Sequence, residues 1–399
     1  ACTGTGYSCD DDNLCTDDAC NGDGRCTYQN NTAACDDRNL CTGPDACQDG
    51  VCTGPVTCTG EVVVAVYLDG DNDLDTNAME DLAEMQAAGL DDAGWLRVFA
   101  LYDRSPWSGW TDTRLFEIHN GSRTELDGPS LGITAGASQD ELNMGDPATL
   151  SAFIDDVKAL GGPDPLYFLI LWNHGDGWRR RSTGDEEPRR FKQVCVDETS
   201  DDWLETRELH TALAGKGLTL VGFDACLEGM VEVAYEIRND AEIMVASEET
   251  EPVEGWDYTN LFDLFMNTGD RSPGYFGRVT VDTFIDSATF GDVTLSVLDL
   301  SRIKTLDKGC EGAITALAAL SSNDWNSLCR ELDWFGGWWP SPHVDMVQLF
   351  EKAKAVDGAN AAAYDSARFL VQNAILYNRR GTDMPFAHGL AVYFECQSS

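Results

Sequence analysis

A histidine and a cysteine, each just past a run of apolar residues, are the groups in this chain best suited to chemistry. His174 stands in Trp172-Asn173-His174-Gly175 after the run Leu166 to Leu171, and Cys226 in Asp224-Ala225-Cys226 after Leu218 to Phe223. A thiolate attacks a carbonyl carbon, while an imidazole protonates the leaving amine and then activates water. A free thiol has a pKa near 8.5, so only about 3% is thiolate at pH 7 and the site must favour the anion. The pattern places Cys226 at the start of a helix opening near Leu227, where the helix end and the imidazole would both do so. Gly175 lets the backbone come close, so its amide and that of Cys226 are the candidate oxyanion hole.

The two groups are 52 residues apart in sequence, so the fold must bring them together. Apolar runs this continuous read as parallel strands buried on both faces. In an open parallel sheet, ligands bind beyond the carboxyl ends of the strands. Other strands are expected at Glu61 to Leu68, Trp95 to Tyr102, Arg114 to His119, Glu242 to Ala246, 292–299 and Gly389 to Phe394. Helices are expected near 76–88, 147–160, 204–214, 227–238, 274–288, 301–320 and 360–377. This alternation predicts an α/β domain over 61–399, a mostly parallel sheet with helices on both faces.

Residues 1–60 are different. Ten of the fifteen cysteines lie in the first 58 residues, and Cys9, Cys15, Cys20 and Cys26 recur 26 or 27 residues later as Cys35, Cys41, Cys47 and Cys52. A fixed period marks a repeat array, here two repeats. With almost no aliphatic residues the segment cannot bury a core, and disulfides worth roughly 2–4 kcal/mol each must hold it. Zinc fits less well, because the gaps are long and histidine is absent. Disulfides place the protein outside the reducing cytosol, secreted or at a cell surface, with any signal peptide already removed. Five cysteines remain (Cys195, Cys226, Cys310, Cys329, Cys396), an odd number that leaves at least one thiol free. No apolar run is long enough to span a membrane. The net charge of −42 argues against nucleic acid and anionic membranes and favours basic substrates.

The strings around the two strand exits resemble the caspase–legumain–gingipain clan of cysteine peptidases, and within it the clostripain family. They are Leu-Trp-Asn-His-Gly-Asp-Gly-Trp at 171–178, Gly-Phe-Asp-Ala-Cys-Leu at 222–227 and Val-Ala-Ser-Glu-Glu-Thr-Glu-Pro-Val-Glu-Gly-Trp at 245–256. Tyr67 to Asp75 and Gly389 to Phe394 also fit. The resemblance implies a caspase-haemoglobinase-like fold and cleavage of protein or peptide substrates after Arg or Lys. It places the S1 carboxylate at Asp224, with Glu249 as a second S1 acid and Ser247 beside it. It also implies self-cleavage between the histidine and the cysteine, where Arg179-Arg180-Arg181 and Arg189-Arg190-Phe191-Lys192 lie. Arg181, Arg189, Arg190 and Lys192 are the candidate cut sites. The first 58 residues resemble short cysteine-rich repeats of slime-mould and bacterial surface proteins, which implies a spacer or adhesive role.

No cofactor is needed for this chemistry. Calcium is a secondary expectation: Asp69, Asp71, Asp73, Asp75 and Glu80 have calcium-loop spacing, although Leu74 stands where that loop needs glycine. A turn capping the next helix explains the same residues. The competing reading of the whole chain is a surface binding or adhesion protein with an inactive peptidase-like domain. The intact His-Gly and Asp-Ala-Cys strings weigh against it.

Overall fold

The computed structural model describes residues 9, 13–20, 26–35, 43–55, 60–106, 110–138, 140–163, 165–178, 193–336 and 342–396. The chain divides into two compact units, Ala1–Thr59 with Asp270–Tyr275, and Gly60–Gly269 with Phe276–Ser399.

The larger unit is built on nine strands. These are β1 (Val62–Gly70), β2 (Leu96–Arg104), β3 (Arg114–His119), β4 (Ser122–Leu126), β5 (Leu166–Trp172), β6 (Leu220–Asp224), β7 (Ile243–Ala246), β8 (Thr294–Asp299) and β9 (Ile375–Arg380). Their order across the sheet is β9-β8-β7-β6-β5-β1-β2-β3-β4. The central five, β7 to β2, run parallel, and two antiparallel strands extend each edge. β1 is buried at every position, as its Val-rich composition requires of a strand covered on both faces. Alternation divides its side chains: Tyr67 meets Phe153 of the helix Pro147–Gly161 at 5.8 Å between ring centroids. On the opposite face, Phe168 of β5 packs on Phe265 and Phe276, from the helices Tyr258–Thr268 and Pro273–Ser287. The sheet is therefore sandwiched between helices.

Several elements differ from the sequence pattern, among them the helix expected over 301–320, which is two helices, Leu300–Gly309 and Glu311–Ala318. The helix expected over 227–238 is only Val231–Glu236. Leu227 adopts a left-handed φ of 64°, and the amides of Leu227 and Gly229 bond to the carbonyls of Glu249 and Ser247 instead of propagating a helix. The helix expected to reach 377 stops at Ala374, because the next residues pair with β8 as the edge strand β9. Ala391–Tyr393 joins His343–Asp345 in a separate two-stranded ribbon, outside the main sheet.

The smaller unit contains two hairpins, Thr16–Cys20 with Cys26–Asn30 and Ala46–Gln48 with Val51–Thr53. Most of their side chains are exposed, so cross-links replace a core. Cys9–Cys26 and Cys35–Cys52 close loops of the same separation, 17 residues, and Cys15–Cys47 joins the repeats. In the larger unit Cys329 pairs with Cys396, while Cys195, Cys226 and Cys310 are free. No helix among the described residues is long and apolar enough to cross a membrane.

Candidate active site

Strand register brings the two sequence motifs together. β5 and β6 are adjacent and parallel, with Trp172 opposite Asp224. His174 and Cys226 each lie two residues further on, so they leave the sheet side by side. Contact is close: a Cβ on Gly175 would fall on the carbonyl oxygen of Cys226 and 3.1 Å from Ala225 Cβ. Only glycine fits there. Asn173 fixes the first exit, its side-chain amide donating to the Asp69 carbonyl at 2.8 Å. His174 lines a cavity of about 730 Å³ with Asn72, Asp73, Gly175, Asp176 and Gln193.

The side chains of His174 and Cys226 are nevertheless engaged elsewhere. His174 Nε2 is 2.7 Å from Asp73 Oδ1. Cys226 Sγ accepts from the Glu251 amide at 3.2 Å. Burial pushes the thiol up to about 12, with the carboxylates of Glu251, Asp176 and Glu249 adding to the effect. Because Cys226 lies in a turn five residues before the short helix, the expected helix-end stabilisation of its thiolate is not present. Of the three free thiols it is the one that is not fully buried.

Asp224 is buried just beneath the cysteine turn. Its Oδ2 accepts from the Tyr258 hydroxyl at 2.9 Å and the Trp256 amide at 3.3 Å. Asp81 approaches from the helix Asp75–Ala87, accepting from Trp172 Nε1 at 2.6 Å. Glu251 completes a three-acid group, with both carboxylate oxygens buried. Burial pushes Asp224 up to about 6, although bonds from Tyr258, Trp256 and Glu251 hold it down. Burial and the charge of Asp224 push Asp81 up to about 9 and Glu251 well above the usual carboxylate range. Gly255, at φ +60°, brings its backbone over the group: a Cβ there would stand 3.0 Å from Asp224 Oδ1 and 3.2 Å from Asp81 Oδ2. Such a group suits a guanidinium or ammonium.

Comparison with known proteins bears on family and fold. The family model described as Clostripain family matches residues 66–378. The chain belongs to the clostripain family. Clostripain of Hathewaya histolytica is 35% identical over 234 residues, 52% of this chain and 43% of that protein. The match therefore spans less than half of that relative's length. Two solved structures share the fold. One is a secreted C11 cysteine protease from Bacteroides thetaiotaomicron in complex with an irreversible peptide inhibitor, at 18% identity and a TM-score of 0.63, covering 85% of this chain and 94% of that one. The other is an inactive zymogen C11 protease from Parabacteroides distasonis, at 19% identity and 0.62, covering 86% and 94%.

Within this clostripain-family chain, several expected site residues have other roles. Ser247 is fully buried, donating to the Glu249 carbonyl at 2.9 Å and sharing a hydrogen bond with Thr294 at 3.0 Å. The Glu249 carboxylate accepts from the amides of Thr250 and Gly336 at 2.8–3.0 Å. Both therefore hold loops, and Glu251 stands beside Asp224 in place of Glu249. Asp69, Asp71, Asp73 and Asp75 do not converge as a calcium loop would. Asp75 forms a two-point pair with Arg104 at 2.9 Å, Asp73 faces His174, and Asp69 is buried under the loop. Arg181, Arg189, Arg190 and Lys192 lie outside the described residues. Glu251 belongs to the same 245–256 string as Glu249, and nothing in their residue types distinguishes the two. Asp81 carries no sequence signal, since its helix position marks only a face.

Proposed function

We propose that this chain is a secreted cysteine endopeptidase cutting after Arg or Lys, with Cys226 as nucleophile and His174 as its acid and base. The carrying observation is the buried acidic group Asp81, Asp224 and Glu251 beside the cysteine turn. Among the described residues no Lys or Arg forms an ion pair with it. A substrate guanidinium entering there would supply the missing positive charge and set the next carbonyl over the thiol. The amides of Gly175 and Cys226 would receive the oxyanion. Glu251 links recognition to chemistry, since its amide bonds the thiol while its carboxylate faces Asp224.

The arrangement is that of a resting enzyme. His174 must leave Asp73 and turn towards Cys226 before the thiol can lose its proton. Self-cleavage between Trp178 and Gln193, at Arg181, Arg189, Arg190 or Lys192, is the event we assign to that change. Residues 1–60 form a disulfide-held repeat module that acts as a surface spacer or adhesive, and 61–399 the peptidase domain. Disulfides in both units support secretion.

Fluorogenic peptides ending in Arg, Lys, Asn or Asp test the reading. Cleavage of the first two and loss of all activity in Cys226→Ala are expected. No cleavage, or preference for Asn or Asp, overturns it. Fragment N-termini test self-processing, because identical fragments from Cys226→Ala would assign the cut to another protease.

A further inference from the structure

The acids around Asp224 lie beneath the cysteine turn, whereas the cavity of about 730 Å³ opens beside the histidine. Gly175 borders that cavity and also abuts the Cys226 carbonyl, so the space reaches the reactive pair itself. Among the described residues that line it, Asp73, Asp176, Asp197, Glu198, Asp201 and Asp202 are acids, and none is Lys or Arg. Two of the acids hold the wall. Asp197 accepts from the amides of Met144 and Ser200 at 2.8 and 2.7 Å, and Asp202 from the Asn143 side chain at 2.7 Å.

Acids alone would describe a solvated surface, but Gln193 sets this cavity apart. It lines the cavity at 8% exposure, and its side-chain oxygen is buried with no hydrogen-bond partner among the described residues. A buried acceptor left unpaired is costly unless a donor arrives from outside. The position of Gln193 is fixed by pairing of the strand Gln193–Asp197 with Asp202–Glu205. Its backbone carbonyl accepts from the Asp176 amide at 3.1 Å, which keeps that acid beside it. Asp201, exposed in the turn between the two strands, and half-buried Trp203 border the same space. A guanidinium or ammonium has only donors to offer and carries the charge that the acids oppose.

We propose that this cavity receives the side chain of the residue following the scissile bond, and that it selects Arg or Lys there; this rests on the peptidase reading above. His174 protonates the leaving nitrogen, which is bonded to the Cα of that following residue. A space bordering the imidazole therefore meets its side chain. Gln193 Oε1 accepts from the incoming cation, Asp176 and Asp201 balance its charge, and Trp203 supplies an aromatic neighbour. In the working arrangement His174 gives up Asp73, which leaves that carboxylate to the same cation. The favoured cut then falls between two basic residues, a form that Arg189-Arg190 has.

Two peptides test the subsite. Each has Arg before the scissile bond and a second Arg either first or fourth after it, with Ala in the other position. Their charge is equal, so the field of the whole molecule acts on both alike. Product masses count only the cut after the first Arg. kcat/KM should favour the adjacent pair by about tenfold or more, and Gln193→Leu and Asp201→Asn should each bring the ratio towards one. Asp201 is exposed at a left-handed φ of 54°, which asparagine tolerates, so that variant keeps the fold. Equal rates for the two peptides, or a ratio unchanged in both variants, overturns the subsite. An Arg aminocoumarin amide, which has no residue after the bond, separates the two readings. Its cleavage beside a ratio of one removes the subsite alone, whereas no cleavage of any substrate removes the peptidase reading and the subsite with it.

Discussion

Cys226 is surrounded by carboxylates, and Glu251, Asp176 and Glu249 all oppose a negative charge at its sulfur. With the thiol pushed up to about 12, the uncut chain should react with iodoacetamide near pH 8 about a thousandfold more slowly than free cysteine. The rate should climb about tenfold per pH unit up to about pH 11, because the sulfur stays protonated until then. Mass spectrometry of timed samples measures it, and a rate matching free cysteine would contradict the resting arrangement. Asp224→Asn should lower kcat/KM on Arg peptides by about 2–5 kcal/mol while leaving alkylation of Cys226 unchanged. Asp81→Asn should cost less, because Asp81 is already engaged by Trp172 Nε1. Equal losses would make Asp81 and Asp224 equal partners of the substrate cation.

The strand exits show why the pair meets, and also why sequence reading stops short of the full site. Apolar runs mark β5 and β6, and His-Gly and Asp-Ala-Cys mark their exits, because burial and close approach restrict residue type at those positions. The turn after Cys226 is less legible. Leu227 at φ 64° has no composition signal, so an apolar stretch reads as helix where the amides in fact bond to the Ser247–Glu249 segment. Choosing between Glu249 and Glu251 needs that turn, since one carboxylate faces Gly336 and the other Asp224. Asp71, Asp103, Glu141 and Asp197 come from four distant segments, and only the assembled sheet shows that their carboxylates converge. Close packing of the exits makes Gly175→Ala informative. The methyl group would force the exits apart, and roughly a hundredfold of rate is lost per ångström of misplacement. A kcat on Arg peptides within twofold of wild type would show that the exits tolerate separation.

Over the whole molecule, 69 acidic residues against 27 basic ones leave a charge of −42. Such a field should concentrate cationic peptides and fade once the Debye length shrinks to about 8 Å near 0.15 M salt. Raising salt should therefore lower kcat/KM for peptides with several basic residues more than for those with a single Arg; parallel salt profiles would show that only the local acids matter. The side-by-side placement of β5 and β6 has a further consequence. The segment between Trp178 and Gln193 lies between the two strands in sequence, but lateral hydrogen bonding from Phe168 to Trp172 and from Leu220 to Asp224 keeps them together. A chain severed in that segment would be two polypeptides sharing one sheet, inseparable without unfolding. The histidine and the cysteine would then sit on different molecules in the covalent sense while remaining neighbours in space.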